Sequence, residues 1–278
     1  MRRSWSLPTY GFLLFYLALT AGPFVWLGVT TFKPSREIFL SPFSLPQAPT
    51  LENYVKAWQV GRFDLYFQNS LVLTLATVLA TLALASPASY ALARFRFPGA
   101  SAVSFYFLSG LMIPIQLAVV PLFFEMKWLH LLNSRTGLFL VYLATSLPFA
   151  IFLLVGFFRS LPGSLREAAL LEGAGEWTIF RKVFLPLARP GLATVGIITF
   201  LGVWNEYLVA FTLLSGQGGE QARTLPLGLA NLTIVGQFRT DFGMVFAGVA
   251  IVMLPTLIAY VSLEKALTKG LTAGASKE

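Results

Sequence analysis

Residues able to do chemistry are few in this chain of 278, and they are not grouped as a catalytic centre. It has one histidine, His130, and no cysteine. Disulfides, iron–sulfur clusters and thiolate zinc sites are therefore excluded, and His130, beside Trp128, has no second ligand with which to hold a metal. No G-x-x-x-x-G-K-[ST] phosphate loop occurs, so any ATP hydrolysis that serves this chain must take place in another polypeptide. A membrane-embedded enzyme would want His, Asp or Glu clustered near one membrane face. The sequence offers one histidine and one acid, Glu206, clearly inside an apolar stretch.

Two polar groupings remain. The first is the acid, alanine and glycine pattern from Ser164 to Pro186. The second is the pair Asn205-Glu206, with Gln116 as a weaker companion near Met112 and Pro114. A carboxylate within a membrane span is costly, which marks Glu206 as functional or structural, never incidental. Asn205 and Glu206 could line a polar path or pin helices by hydrogen bonds. Gln116 is a path candidate on the same grounds.

The elements that must carry these groups are membrane helices. The chain is 56% hydrophobic and 12% charged, with mean hydropathy +0.73; soluble domains are about a quarter charged. A bilayer core about 30 Å thick needs roughly 20 apolar residues in helix. Six stretches qualify: Tyr10 to Phe32, Phe67 to Ala93, Ala102 to Phe124, Gly137 to Phe158, Pro190 to Leu214 and Phe242 to Leu263. Pro23, Pro87, Pro114, Pro148 and Pro255 lie within them, a pattern tolerated where neighbouring helices satisfy freed carbonyls. Met1-Arg2-Arg3 before an apolar run has the look of a secretory signal. Apolar sequence continues through Trp26 and Val29, beyond the 7–15 residues of a signal core, so an uncleaved first span is expected.

Net charge is +8, and the basic residues are scattered singly between apolar stretches, as at the flanks of spans and not as in a nucleic-acid surface. With the N-terminus inside, Arg2, Arg3, Arg94, Arg96, Arg159, Arg166, Arg181, Lys182, Arg189, Lys265, Lys269 and Lys277 face the cytoplasm. Lys33, Arg36, Lys56, Arg62, Lys127, Arg135, Arg223 and Arg239 face outward. The positive-inside rule then places both termini in the cytoplasm.

On that topology, residues 159–190 form the longest inward-facing connection. Ser164-Leu165-Arg166-Glu167 fits a capping box, with Ser164 as N-cap and Glu167 at N3, opening a short helix through Glu172. Gly173 and Gly175 permit a turn, and a second helix over Glu176 to Phe184 should stop at Leu185-Pro186. Ala168 and Ala169 allow close approach to a partner's groove; an interfacial helix lying on lipid is the alternative.

Glu167-Ala168-Ala169, three residues, Gly173, nine residues, Val183, one residue and Leu185-Pro186 resembles the EAA loop of binding-protein-dependent ATP-binding-cassette (ABC) permeases, with Val183 in place of isoleucine. Leu185-Pro186-Leu187-Ala188-Arg189-Pro190, Trp204-Asn205-Glu206, Phe32-Lys33-Pro34, Leu51-Glu52-Asn53-Tyr54 and the ending Lys269 to Ala275 resemble the carbohydrate branch of that family, that of the smaller maltose permease subunit. Leu171-Glu172 stands where Ile-Asp is common.

The resemblance implies an all-α integral membrane fold of the type I importer kind, with 1–278 as a single permease domain, a coupling loop over about 159–190 and a cytoplasmic tail over 264–278. It implies a permease subunit in a bacterial or archaeal inner membrane that imports a carbohydrate (mono-, di- or oligosaccharide). Expected partners are a second homologous permease subunit forming a heterodimer, two cytoplasmic ATP-binding-cassette ATPase subunits, an extracytoplasmic solute-binding protein and membrane lipid. ATP and Mg would be bound by the ATPases, with no cofactor in this chain and no nucleic-acid partner. Glu167, Ala168, Ala169, Glu172, Gly173, Val183, Leu185 and Pro186 would couple to the ATPase, Glu167 either as a cap or as an ionic contact. Thr268 to Glu278 resembles the tail that reaches between the ATPases, with Gly270 and Gly274 allowing an extended path. Ser215 to Thr240, rich in glycine, resembles the scoop that enters the binding protein; an ordinary flexible connector is the alternative. A non-sugar solute such as glycerol phosphate, or an ion-coupled secondary transporter, are the rival readings. The second usually shows repeated halves, and no convincing repeat is present.

Overall fold

The computed structural model describes residues 7–235 and 241–275, and within these the side chains at 7–8, 233–235 and 263–275 are not described. Arg2, Arg3, Arg239 and Lys277, whose charges bear on orientation, lie outside the described residues, as do the side chains of the tail. The described residues contain helices and no strand. In chain order these are α1 (Leu7–Thr30), α2 (Ser35–Leu40), α3 (Glu52–Gln59), α4 (Phe63–Arg94), α5 (Ala100–Met112), α6 (Ile115–Trp128), α7 (Arg135–Ser160) and α8 (Ser164–Leu171). There follow α9 (Glu176–Leu187), α10 (Arg189–Trp204), α11 (Leu208–Leu214), α12 (Leu225–Val235) and α13 (Phe242–Ala275).

Four helices, α1, α4, α7 and α13, are each long and apolar enough to cross a membrane, or up to six spans form if two bent pairs each count as one. Those pairs are α5 with α6, bent by 103°, and α9 with α10, bent by 73°. The expected third span is thus not one straight helix. Its break falls at Ile113, extended at φ −89° and ψ 110°; Pro114 drives the residue before it out of the helical region. Pro87 and Pro148 remain inside continuous helices. The expected fifth span also differs, because α10 ends at Trp204 and the chain restarts as α11 after Asn205, Glu206 and Tyr207. The Ser215 to Thr240 connection is more ordered than a flexible loop: it holds a 3₁₀ turn (Gly219–Ala222) and all of α12. Residues 236–240 lie outside the described residues. Through the tail the backbone stays helical to Ala275, in place of the expected extended path.

The chain divides into two compact units. The first comprises residues 1–65 and 228–254. Here Lys33 is fully buried, and its Nζ donates to Ser41 O at 2.9 Å, Pro42 O at 3.2 Å and Ser44 Oγ at 3.4 Å. A buried ammonium is tolerable only when its protons are satisfied in this way. Asn53 Nδ2 donates to Thr31 O at 2.7 Å and Lys33 O at 2.8 Å. The segments 32–34 and 51–54, distant in sequence, therefore lock one another. Gly243 lies so close to Asn53 that a Cβ there would strike the Asn53 side-chain amide.

The second unit comprises residues 66–227 and 255–278. It holds two apolar clusters that share α4 and α7. One gathers Leu73, Leu138, Val141, Tyr142, Val209 and Leu213. The other gathers Tyr90, Leu154, Phe158, Phe180, Phe184 and Val195. Along α4, buried Ser70, Thr74, Thr77, Thr81 and Ser89 recur at helical spacing, the small polar residues that allow helices to approach within a membrane.

Candidate functional site

The 163–188 segment is a helical hairpin. Its first helix, α8, begins one residue earlier than expected: Gly163 is the N-cap and its carbonyl accepts from Arg166 N at 2.9 Å and Glu167 N at 3.3 Å. Ser164 is thus the first helical residue and Glu167 the fourth, and the capping box does not form. With Gly163 at the N-cap there is no side-chain oxygen at that position to accept from the first-turn N–H groups.

The end of α8 matches its sequence signal. Gly173 has φ +79°, while Ala174 N donates to Ala169 O and Gly173 N to Leu170 O, each at 3.0 Å. This is the paired 6→1 and 5→2 closure of a Schellman motif, whose left-handed residue is normally glycine. Gly175 then serves as N-cap of α9.

Expected to stop at Leu185-Pro186, α9 instead continues through them to Leu187. Phe180–Phe184 is π-helical, and Leu185 N donates to Phe180 O. The wider turn removes the tight i−4 register in which a proline ring strikes a carbonyl. The chain bends only at Ala188, into α10.

Arg166 and Glu176 join the two arms by a two-point pair: Arg166 Nη2 donates to Glu176 Oε1, and Nε to Oε2 at 3.3 Å. The Glu176 carboxylate holds the Arg166 guanidinium above its ordinary range, outweighing the opposing effect of burial. Tyr90 Oη of α4 donates to the same carboxylate at 3.2 Å, and Arg166 lies over the Phe95 ring at 5.5 Å. Beneath the hairpin, Arg94 Nη2 donates to Phe158 O at 2.5 Å and Leu161 O at 2.6 Å, with the guanidinium 4.6 Å from the Phe184 ring centroid. Arg94 thus ties the ends of α4 and α7 to α9. In the sequence it carries only an orientation signal, because its partners are backbone carbonyls.

The candidate residues divide between two sides. Ala169, Val183 and Leu185 pack against the inner cluster, and Pro186 is half-buried. Glu167, Ala168, Glu172 and Gly173 are exposed. With them stand Leu171, 90% exposed, and Trp177, 64% exposed. Leu171 is thus an apolar side chain on the open face of a short helix that also carries Glu167 and Glu172. Helical spacing in the sequence places Leu171 or Glu172 on the apolar side of α8 with Leu165, Ala168 and Ala169, and does not single out Trp177.

The polar pair lies elsewhere in the same unit. Glu206 Oε2 accepts from Tyr142 Oη at 2.6 Å and Ala210 N at 3.0 Å, and Oε1 from Val209 N at 2.7 Å. The carboxylate therefore caps α11 and binds it to α7. It also borders a cavity of about 310 Å³ with Thr145, Ser146, Phe149 and Thr199. Asn205 is exposed; its Nδ2 donates to Leu201 O at 2.9 Å, and its Oδ1 accepts from Thr256 Oγ1 at 3.1 Å. Gln116 is exposed on the first turn of α6, and its neighbour Ile115, not Gln116 itself, lines the Glu206 cavity. His130, at φ +57°, is exposed just beyond α6.

Residues 85–269 match the family described as "Binding-protein-dependent transport system inner membrane component". The chain is 37% identical over 272 residues to the diacetylchitobiose uptake system permease protein NgcG of Streptomyces coelicolor, covering 98% of this chain and 89% of that protein. It is 33% identical over 255 residues to the trehalose transport system permease protein SugB of Mycobacterium tuberculosis, covering 92% of each. In fold it is similar to a chain in the crystal structure of a bacterial ABC transporter involved in the import of the acidic polysaccharide alginate, with TM-score 0.83, 23% identity, and 93% and 95% of the two chains covered.

Proposed function

This chain belongs to the family of binding-protein-dependent transport system inner membrane components, and on that premise we propose that it forms one half of the carbohydrate path of an ATP-driven importer. Members of the family are multi-pass transport components and not enzymes. Support for a carbohydrate comes from the relatives, whose names specify diacetylchitobiose and trehalose. The observation that carries the mechanism is the α8–α9 hairpin, with Ala168, Leu171 and Glu172 turned outward and Ala169, Val183 and Leu185 turned in.

In this mechanism α8 docks in a cleft of a cytoplasmic ATPase subunit. Ala168 gives close approach, Leu171 supplies apolar contact, and Glu167 and Glu172 face polar groups of the partner. Ala169, Val183, Leu185 and Pro186 fix the hairpin to α4, α7 and α10, so a push on α8 is transmitted to the spans. Gly173 sets the angle between the arms. Each bent pair, α5 with α6 and α9 with α10, counts as one span, giving six, with both termini in the cytoplasm. A second homologous permease completes the path, two ATPases hold ATP and Mg, and an external binding protein delivers the solute. ATP-driven closure of the ATPases rocks the spans between inward-open and outward-open states. Within this frame Glu206 holds α11 to α7, and Asn205 ties the end of α10 to α13.

The test uses the absence of native cysteine. With Leu171→Cys as the one thiol of this chain, an ATPase cleft residue changed to cysteine should cross-link to it within the assembled complex, and the yield should change with ATP. A thiol freely labelled by a water-soluble maleimide in both the isolated chain and the complex would contradict docking.

A further inference from the structure

Helices α4, α5 and α7 border a hollow on the side of Phe95 away from the exposed face of α8 described above. Its inner part, about 180 Å³, is walled by Leu92, Phe107, Leu108, Ile151, Phe152 and Val155. The outer part, about 790 Å³, is bordered by Arg96, Arg159, Ser101 and Ser104. Leu92, Ser104, Leu108 and Arg159 line both, so the two are continuous. No Asp or Glu lines either part. Arg96 and Arg159 are exposed, and neither takes part in an ion pair among the described residues.

Two unpaired guanidinium groups at the mouth of an apolar slot match a molecule with a phosphate at one end and a hydrocarbon chain at the other. A small soluble anion would have no use for the slot, and an uncharged chain no use for the arginines. The start of α5 lies at the same mouth, so its helix dipole adds positive potential there. No residue of α5 is buried, which leaves its flank open to lipid. Arginine suits a phosphate diester because its planar fork can donate two bonds to two oxygens. We propose that this hollow binds one anionic phospholipid, its phosphate on Arg96 and Arg159 and one acyl chain between α5 and α7. Phe95, which lines the outer part, is the ring over which Arg166 lies, so the headgroup adjoins the α8–α9 hairpin.

Native mass spectrometry of the assembled transporter, released from detergent in the presence of phosphatidylglycerol and phosphatidylcholine with matched acyl chains, tests this. Wild-type complex should retain phosphatidylglycerol about tenfold more than phosphatidylcholine, and Arg96→Gln with Arg159→Gln should abolish the preference. Ser104→Leu, which narrows the slot and leaves both arginines, should lower retention as well. Inorganic phosphate at millimolar concentration should not displace the lipid. Equal retention of the two lipids, an unchanged preference in the arginine variant, or displacement by inorganic phosphate overturns the proposal. So does a wild-type complex that retains no lipid, the result expected if the second permease subunit covers the hollow. Should the arginine variant fail to assemble, undiminished phosphatidylglycerol retention by Ser104→Leu overturns it equally.

Discussion

Arg166 and Glu176 clasp each other across the Gly173 turn, each offering two atoms, and the carboxylate also accepts from Tyr90 Oη. The two arms of the hairpin are thus tied to each other and to α4. The two side chains are 30% and 36% exposed, so the pair contributes about 1 kcal/mol or less to stability. Its consequence is orientation: a docked α8 can push the spans only if the arms do not splay.

Arg166→Ala should leave insertion and assembly intact while more ATP is hydrolysed per solute imported. The exchange Arg166→Glu with Glu176→Arg should recover part of the loss, and a double-mutant cycle should read a coupling of about 1 kcal/mol. Additive single effects with no recovery would contradict the clasp.

Gly173→Val should separate ATPase activity from transport. A Cβ at Gly173 meets nothing within 4 Å, so the penalty comes from φ +79° alone, about 1–2 kcal/mol for an L side chain. Gly173→Asn, which tolerates the left-handed region, should keep most of the transport. Coupled transport by the valine variant at the wild-type rate would remove Gly173 from the mechanism.

Leu171→Asp should not alter the stability of the isolated chain, because the side chain is 90% exposed. Co-purification of the ATPase subunit should fall by about tenfold or more, because the substitution places a charge at a desolvated contact. Unchanged co-purification would point to α8 lying on lipid instead.

Some of this was legible before the fold and some was not, for physical reasons. The Gly173 turn could be read because a left-handed helix end is a position where glycine differs from every other residue. Apolar runs of the right length located the membrane stretches, but not the break at Pro114: Pro87 and Pro148 sit in equally apolar runs and break nothing. The π turn over 180–184 that carries α9 past Pro186 has no sequence mark. Neither do the roles of Arg94 and Lys33, whose partners are mostly backbone carbonyls, which any sequence supplies. Trp177 reads as an ordinary apolar residue until the hairpin turns it outward, and the spacing that sets Leu171 on the apolar side of α8 does not show that it is 90% exposed.

Glu206 distinguishes pinning from path lining. Tyr142→Phe removes the 2.6 Å hydrogen bond to its carboxylate and leaves the α11 cap in place. Pinning predicts a loss of stability of about 0.6 kcal/mol, the average for hydrogen bonds between membrane helices, with an unchanged KM for the loaded binding protein. A raised KM with unchanged stability would assign Glu206 and Tyr142 to the path.

The claim that this chain is half of a path powered from outside itself is tested most directly by solute uptake into proteoliposomes. Uptake should require ATP on the ATPase side, both permease subunits, the ATPase and the loaded binding protein, and should stop when any one is omitted. Accumulation by this chain alone, driven by an ion gradient without ATP, would contradict it.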